Sequence, residues 1–271
     1  MSTEATLVAH VVLDSPLPQL DHPFDYKVPE RLRESIAVGQ KVVVPLRSGR
    51  RMCDAWVIEL SHTSSFSGNL ADVDSIVSEV ALLPPDLYAL ARSVADRQAG
   101  SAVDVLRLAI PPRYVRAEKA YLTQRNSHVD SDSLTSATTD KLTSPALPVE
   151  SPLISRGDKV SWVFEGGVER LGEDVWVPSW CRAYAQLAAE ALSRGESIII
   201  AVPDFRDIEI MQLALRFFVD DENVCRVDAG LSGAQRYSNY LRVLEDSAVV
   251  VLGNRSSVYA PAFNLGMIAL W

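Results

Sequence analysis

The sequence predicts a multidomain protein in which a small β-rich module and a helical unit precede an α/β lobe with a parallel sheet. Three observations predict this arrangement. Short apolar runs separated by turn residues occupy the chain up to residue 82, two amphipathic stretches follow, and apolar runs alternate with helical patterns after residue 156. With 271 residues, 48% of them hydrophobic, the chain is long enough for two or three compact units.

The first module, residues 1–82, is predicted to contain four short strands. Its β-branched or alternating runs lie at residues 7–13, 41–44, 52–60 and 73–80, each bounded by Pro, Gly, Asp or Ser. Between the first two runs, Phe24-Asp25-Tyr26 is predicted to lie in an exposed loop.

A helical unit is predicted at residues 83–124. Pro84-Pro85 opens an amphipathic stretch that Gly100 ends, and a second short helix over residues 102–110 stops at Pro111-Pro112. Together with a strand predicted at residues 114–123, this pair indicates a winged-helix domain. Residues 125–155 are rich in Ser, Thr, Asp and Pro, which is typical of a flexible linker or insertion.

The last part of the chain, residues 156–271, is predicted to be an α/β lobe. Helices are predicted at residues 179–192, from the cap Asp204 to residue 219, and from the capping box of Ser232 and Gln235 to about residue 244. Apolar runs at residues 197–202, 224–227, 248–252 and 267–270 are predicted strands. Strands and helices that alternate in this way indicate right-handed βαβ units and one parallel sheet.

The charge is unevenly distributed along the chain. The total is −9, which counts against a nucleic-acid partner, but residues 1–124 carry only −2 and the remainder carries −7. Bases in the first part form two groups, which are Arg47, Arg50 and Arg51, then Arg107, Arg113, Arg116 and Lys119. Each group is either a solvated face or a phosphate-binding surface.

The cysteine, histidine and apolar content also indicates which kinds of site and which cellular compartment to expect. Cys53, Cys181 and Cys225 form no CxxC pattern, and the four histidines show no triad or metal spacing, so we expect no catalytic residue, disulfide framework or metal site. The sequence has no apolar run long enough for a membrane span and no secretion signal at its start. These features predict a cytoplasmic protein with no membrane partner.

Several strings, in their order along nearly the whole chain, resemble the primosomal protein N′ (PriA) family of replication-restart helicases, in particular a divergent branch without the ATPase residues. They are Phe24-Asp25-Tyr26-Lys27-Val28-Pro29, Val38-Gly39-Gln40-Lys41-Val42-Val43-Val44-Pro45, residues 83–112, Val202-Pro203-Asp204, Asp228-Ala229-Gly230-Leu231 and Gly253-Asn254-Arg255-Ser256-Ser257-Val258-Tyr259-Ala260-Pro261.

The resemblance implies a domain that binds the 3′ end of a nascent DNA strand, a winged-helix domain that contacts fork duplex, and a first RecA-like helicase lobe. It implies a nucleoid-associated protein whose partners are branched or forked DNA, single-stranded-DNA-binding protein and other replication-restart proteins. The family uses ATP, Mg²⁺ and Zn²⁺. Its zinc module and second lobe would follow Trp271, so the chain is expected to be an N-terminal portion that itself holds no cofactor.

Phe24, Asp25 and Tyr26 are the candidate residues for reading a DNA end. An aromatic ring can stack on any terminal base, and a carboxylate can accept a hydrogen bond from a 3′-hydroxyl while repelling a 3′-phosphate. From the residues alone, the favoured explanation is that the rings are core aromatics flanking an exposed acid in a turn. The resemblance favours the binding site.

The stretch after Pro45 departs from the family, which places a small residue there. This chain has Leu46-Arg47-Ser48-Gly49-Arg50-Arg51, in which Gly49 would allow close backbone approach and Arg47, Arg50 and Arg51 would hold phosphates. A family lysine near the fourth predicted strand is missing, because Asp72-Val73-Asp74-Ser75 stands there.

Arg113, Arg116 and Lys119 follow the predicted helix pair. On a wing they would lie along a duplex backbone and position the protein without reading sequence. Alternatively, they protect a solvated strand edge.

The chain contains no GxxxxGK[ST] phosphate-binding loop. Trp176-Val177-Pro178-Ser179-Trp180 precedes the helix where the family carries that loop, and no lysine follows Lys159. The sequence therefore predicts a DNA-binding protein of replication restart whose lobe does not hydrolyse ATP, with Arg255 kept as a structural or DNA-facing residue. The alternatives are an active ATP-dependent 3′-to-5′ DNA helicase and a scaffold for replication proteins.

Overall fold

The computed structural model describes residues 6–46, 51–64, 66–129, 157–164 and 166–271. The chain divides into two compact units between Ile110 and Pro111. No helix in these described ranges combines the length and the apolar character that a membrane crossing requires.

The first unit is built on a five-stranded antiparallel sheet with the strand order β2-β1-β4-β3-β5. The strands are β1 (Val8–Leu13), β2 (Pro23–Lys27), β3 (Lys41–Leu46), β4 (Arg51–Ser61) and β5 (Ser75–Ile76). Alternate side chains of these strands, among them Val11, Val42, Val57 and Tyr26, form its core. The predicted strands at residues 7–13, 41–44 and 52–60 are confirmed.

Two details of the predicted first module are wrong. Phe24-Asp25-Tyr26 lies in strand β2 and not in a loop, because Pro23 begins an edge strand, where a missing N–H costs no ladder bond. The strand predicted at residues 73–80 shrinks to Ser75–Ile76. Ser78 Oγ bonds the backbone of Val80 in both directions, and this local hydrogen bonding replaces further pairing.

Two helices complete the first unit, α1 (Pro85–Gln98) and α2 (Ala102–Ala109), as the sequence predicts. Arg107 on α2 donates to Asp14 Oδ1 at 2.8 Å, and Lys41 on β3 donates to Asp14 Oδ2 at 2.9 Å. Burial alone would raise the pKa of Asp14, but the two cations outweigh it and lower the pKa. The carboxylate thus ties the helix pair to the sheet.

A second aspartate makes the same connection. Asp21 Oδ2 accepts a hydrogen bond from Arg92 on α1 at 2.6 Å, and Asp21 Oδ1 accepts one from the amide of Ala102 at the start of α2 at 3.2 Å. An anion at a helix N-terminus is favourable because the first amides lack partners within the helix. Both helices therefore belong to the first unit.

The second unit contains a four-stranded parallel sheet in the order β11-β8-β10-β9, which confirms the predicted parallel sheet. Its elements are α3 (Val115–Val129), β6 (Val168–Arg170), β7 (Trp176–Pro178), α4 (Ser179–Ser193), β8 (Ser197–Ala201), α5 (Phe205–Leu215), β9 (Val224–Arg226), α6 (Gly233–Val243), β10 (Val250–Gly253) and β11 (Leu265–Leu270). Asp204 caps α5, and Ser232 with Gln235 forms the predicted capping box. Strands β6 and β7 form a separate antiparallel pair.

The strand predicted at residues 114–123 is wrong, since helix α3 covers those residues. Arg116 to Ala120 are good helix formers, and the buried residue of this turn is Glu118, so the sequence has no alternating apolar pattern there. The wing expected for a winged-helix domain is therefore absent at these positions.

Gly39, which precedes β3, packs closely against the backbone of Leu83, which precedes α1. Its φ is +88°, and a Cβ added there would come 2.5 Å from the carbonyl oxygen of Leu83. We expect Gly39→Ala to destabilise the first unit by about 2 kcal/mol or more, because alanine is strained at positive φ and its methyl displaces backbone. Hydrogen exchange of β1 and β4 amides measures this unit separately.

Gly100→Ala is the matched control in the same unit, since a Cβ at Gly100 meets no atom within 4 Å. Its effect should stay within about 0.5 kcal/mol. Equal exchange rates in the two variants would contradict the steric role assigned to Gly39.

Candidate nucleic-acid interface

The three residues of the Phe24-Asp25-Tyr26 string have different surroundings. Tyr26 is 6% exposed; its ring packs in the core and its hydroxyl donates to the carbonyl of Pro45 at 3.0 Å. Burial raises the pKa of Tyr26, so the hydroxyl stays a neutral donor. Phe24 is half-buried and stacks on the ring of His22 with centroids 4.2 Å apart. Asp25 alone points to the opposite face of β2, because successive strand residues alternate.

Asp25 is held by donors from two sides. Its Oδ1 accepts from His10 Nδ1 on β1 at 2.7 Å, and its Oδ2 accepts from Ser64 Oγ at 2.6 Å. His10 Nε2 lies 2.9 Å from Ser61 Oγ at the end of β4. The register of the sheet explains the first contact, since His10 and Asp25 are directly paired across β1 and β2.

The resulting carboxylate is fixed in orientation and remains partly accessible to solvent. Its Oδ1 and Oδ2 each accept a hydrogen bond, and the Asp25 side chain is 10% exposed. Because its rotamer is already set, little conformational entropy is lost when a ligand hydroxyl binds.

The basic stretch after Pro45 is described in part. Arg47, Gly49 and Arg50 lie outside the described residues, whereas Arg51 is exposed at the start of β4. Pro45 pairs with Met52, so the hydrogen bond from Tyr26 to Pro45 brings this end of the β3–β4 pair to β2. Arg51 itself pairs with Leu46, the residue after Pro45.

Lys27 is a functional candidate that the sequence analysis missed. It follows Asp25 by two residues on β2, so both side chains lie on one face of the strand, about 7 Å apart along it. Lys27 is exposed and forms no ion pair with any described residue. The period-two pattern would have identified it had β2 been assigned as a strand.

The predicted duplex-contacting residues lie on and just before α3 in the second unit. Arg113 makes a bidentate ion pair with Glu118, with donor distances of 3.0 Å and 2.6 Å, and Tyr237 on α6 also donates to Glu118. Glu118 is 2% exposed, and its hydrogen bonds raise the pKa of Arg113. Arg113 is thus committed to an internal contact, while Arg116 and Lys119 stay exposed, one turn apart.

The described residues at the start of α4 make contacts that differ from those of a phosphate-binding loop. Strand β7, which precedes α4, pairs only with β6 and not with the parallel sheet among the described strands. The amide of Ser179 at the start of α4 already donates to the carbonyl of Gly167 at 3.1 Å. Trp180, in the same turn, is buried and stacks on Trp271 at the carboxyl end of β11, with centroids 4.6 Å apart.

Arg255 lies at the carboxyl edge of this sheet, where parallel α/β folds bind ligands. It begins a short 3₁₀ helix, Arg255–Tyr259, directly after β10 and is exposed. The preceding Asn254 donates to the carbonyl of Pro203 after β8 at 3.3 Å. Arg255 is therefore exposed to solvent on a turn that the hydrogen bond of Asn254 stabilises.

Comparison with known proteins gives the class of the first unit. Residues 10–111 match the family model described as the 3′ DNA-binding domain (3′BD) of PriA. The match begins inside β1, includes β2 to β5 and both helices α1 and α2, and ends one residue after the boundary of the first unit. The first unit is thus a domain of the 3′BD class.

Similarity to longer proteins extends the match to the second unit. The chain is 31% identical over 268 residues to the probable replication restart protein PriA of Mycobacterium tuberculosis (strain ATCC 25618 / H37Rv), which covers 94% of this chain and 37% of that protein. It is 32% identical over 259 residues to the Mycobacterium leprae (strain TN) protein, covering 94% and 38%. With Bacillus subtilis (strain 168) PriA it shares 28% over 104 residues. The chain is thus similar along 94% of its length to PriA replication restart proteins, and it spans under two fifths of these mycobacterial relatives.

Arg113→Ala tests the ion pair between Arg113, which precedes α3, and Glu118. It removes the bidentate partner of a buried carboxylate, so we expect the second unit to lose roughly 2–3 kcal/mol of stability. Urea denaturation measures this loss. Arg116→Ala removes the same charge from an exposed position of the helix and should change stability by less than about 0.5 kcal/mol. Equal losses in both variants would show that the Arg113–Glu118 pair does not stabilise α3.

Proposed function

We propose that this protein binds DNA at a free 3′ end, at branched or forked DNA in replication restart and primosome assembly, without ATP hydrolysis by its α/β lobe. The observation that carries the proposal is the fixed carboxylate of Asp25 on the outer face of β2, inside a domain of the 3′BD class. The family resemblance supports other replication-restart proteins and single-stranded-DNA-binding protein as partners.

Asp25 supplies the discrimination between DNA ends. A free 3′-hydroxyl can donate a charge-assisted hydrogen bond to the carboxylate, which is roughly twice as strong as a neutral one. A 3′-phosphate has no such donor at neutral pH and meets the carboxylate as a like charge. The contact is independent of the base, as recognition of an arbitrary nascent strand requires.

Cations near Asp25 and on α3 supply the attraction to phosphates. Lys27 lies two residues after Asp25 on the same face of β2, so it could bind the phosphate of the nucleotide whose 3′-hydroxyl contacts Asp25. Arg51 lies at the start of β4. Arg116 and Lys119 are proposed to contact duplex from α3. Such contacts are insensitive to sequence and weaken as salt is raised.

Asp25→Asn tests the end-reading role. The amide is nearly isosteric, but it removes the charge that accepts the hydroxyl, so affinity for an oligonucleotide with a 3′-hydroxyl should fall about 10- to 100-fold. Affinity for the same oligonucleotide with a 3′-phosphate should fall less or rise. Fluorescence anisotropy with the two oligonucleotides measures the ratio of affinities.

Asp72→Asn is the matched control, because it makes the same change in net charge on an exposed residue. The backbone of Asp72 forms an isolated β-bridge with that of Lys27. This variant should keep the wild-type preference for the hydroxyl. Equal affinities of the wild-type protein for both ends would refute the proposed function.

The absence of ATP hydrolysis is proposed from the start of α4. The buried indole of Trp180 and the occupied amide of Ser179 stand where a P-loop enzyme exposes amides to phosphate. The residues at the start of α4 therefore do not fit a nucleoside triphosphate. This disagreement counts against the alternative hypothesis of an active ATP-dependent helicase.

A phosphate-release assay with ATP and forked DNA tests this part. We expect no release above that of a protein-free sample, with or without DNA. Turnover that rises with DNA and is lost in Arg255→Ala would instead establish an active motor and contradict the proposal.

A further inference from the structure

We propose that Phe66 is the ring on which the terminal base of the bound strand stacks. This inference rests on the proposed 3′-end function and adds the residue that contacts the base. Phe66 is 60% exposed and lies in the chain that follows β4, outside the strings that carry the family resemblance.

Hydrogen bonds place Phe66 beside the carboxylate of Asp25. The amide of Phe66 donates to Ser64 Oγ at 3.0 Å, and the same hydroxyl donates to Asp25 Oδ2 at 2.6 Å. These two bonds hold the Phe66 nitrogen within about 6 Å of the carboxylate oxygen. A nucleoside whose 3′-hydroxyl reaches Asp25 therefore has its base within reach of the Phe66 ring.

The chain around Phe66 is tied to β2 a second time. Ala71 accepts from the amide of Lys27 at 2.9 Å, and Val73 donates to the carbonyl of Lys27 at 2.9 Å. The segment that carries Phe66 is thus attached to β2 at both of its ends, once at Asp25 and once at Lys27.

The orientation of the ring is set by Gly68. A Cβ built on Gly68 would come 2.6 Å from Cε1 of Phe66, so the ring lies directly against the glycine backbone. The contact supports one side of the ring, while more than half of the residue stays open to solvent. A supported, exposed ring is the form in which aromatic residues bind single-stranded bases.

The rings of the Phe24-Asp25-Tyr26 string are poorly placed for this task. Tyr26 lies in the core, and Phe24 already stacks on His22. Stacking on an exposed ring removes apolar surface from water without disturbing the core, whereas extracting Tyr26 would cost its packing and its bond to Pro45.

The test uses the full chain and a short single-stranded oligonucleotide whose 3′-terminal base is 2-aminopurine, a probe whose fluorescence is quenched by stacking. We expect Phe66→Ala to weaken binding of the 3′-hydroxyl form roughly 5- to 150-fold and to abolish the protein-induced change in probe fluorescence. The preference for hydroxyl over phosphate should persist, because Asp25 is intact. Phe66→Trp should retain binding, and Gly68→Ala should weaken it by displacing the ring.

Leu108→Ala is the matched control, since Leu108 is an equally exposed apolar residue of the first unit, at 62%, on α2. It should bind as the wild type does. A wild-type preference for the hydroxyl together with unchanged affinity and probe fluorescence in Phe66→Ala would overturn the role of Phe66 and leave the proposed function standing. A wild-type protein without that preference would overturn both.

Discussion

The carboxylate of Asp25 is fixed between an imidazole on a neighbouring strand and a hydroxyl on the chain that follows β4. This one group joins three parts of the first unit, since His10 belongs to β1, Asp25 to β2, and Ser64 comes after the last residue of β4. Partial burial of a charge is favourable only when donors compensate its lost hydration, and both donors are present. The constraint leaves an acceptor at a defined position on the outer face of the sheet.

The two units differ in the surfaces that they offer for the proposed binding of DNA. The first unit carries the end-reading residues on an edge strand, where a polynucleotide can approach without displacing secondary structure. Both units carry a net negative charge, and the internal contacts of the second unit include the Arg113–Glu118 ion pair and the stack of Trp180 on Trp271. Because the net charge of the chain is −9, the hydroxyl contact at Asp25 and not general electrostatic attraction would decide which DNA is held.

The sequence predicted the elements whose apolar residues follow a simple period. Strands β1, β3 and β4, the helix pair and the βα series of the second unit were found in this way. Strand β2 was missed because its five residues begin with proline and include two charges, and α3 was missed because the buried residue of its first turns is Glu118. In both cases polar groups, which periodicity ignores, determine the local structure.

The candidate binding site shows the same limit. Asp25 was identified from its string, but its partners lie 15 and 39 residues away along the chain, and only the register of β1 and β2 brings His10 to it. Phe66 stands in a Ser- and Gly-rich stretch with no periodic signal, so its place beside β2 depends on hydrogen bonds that the sequence does not reveal.

A crystal structure of the chain with a short oligonucleotide ending in a 3′-hydroxyl tests the central claim most directly. The account predicts the terminal O3′ at hydrogen-bonding distance from the Asp25 carboxylate, on the outer face of β2. An oligonucleotide end bound beside Tyr26 and Pro45, or on the α/β lobe with the contacts of Asp25 unchanged, would contradict it.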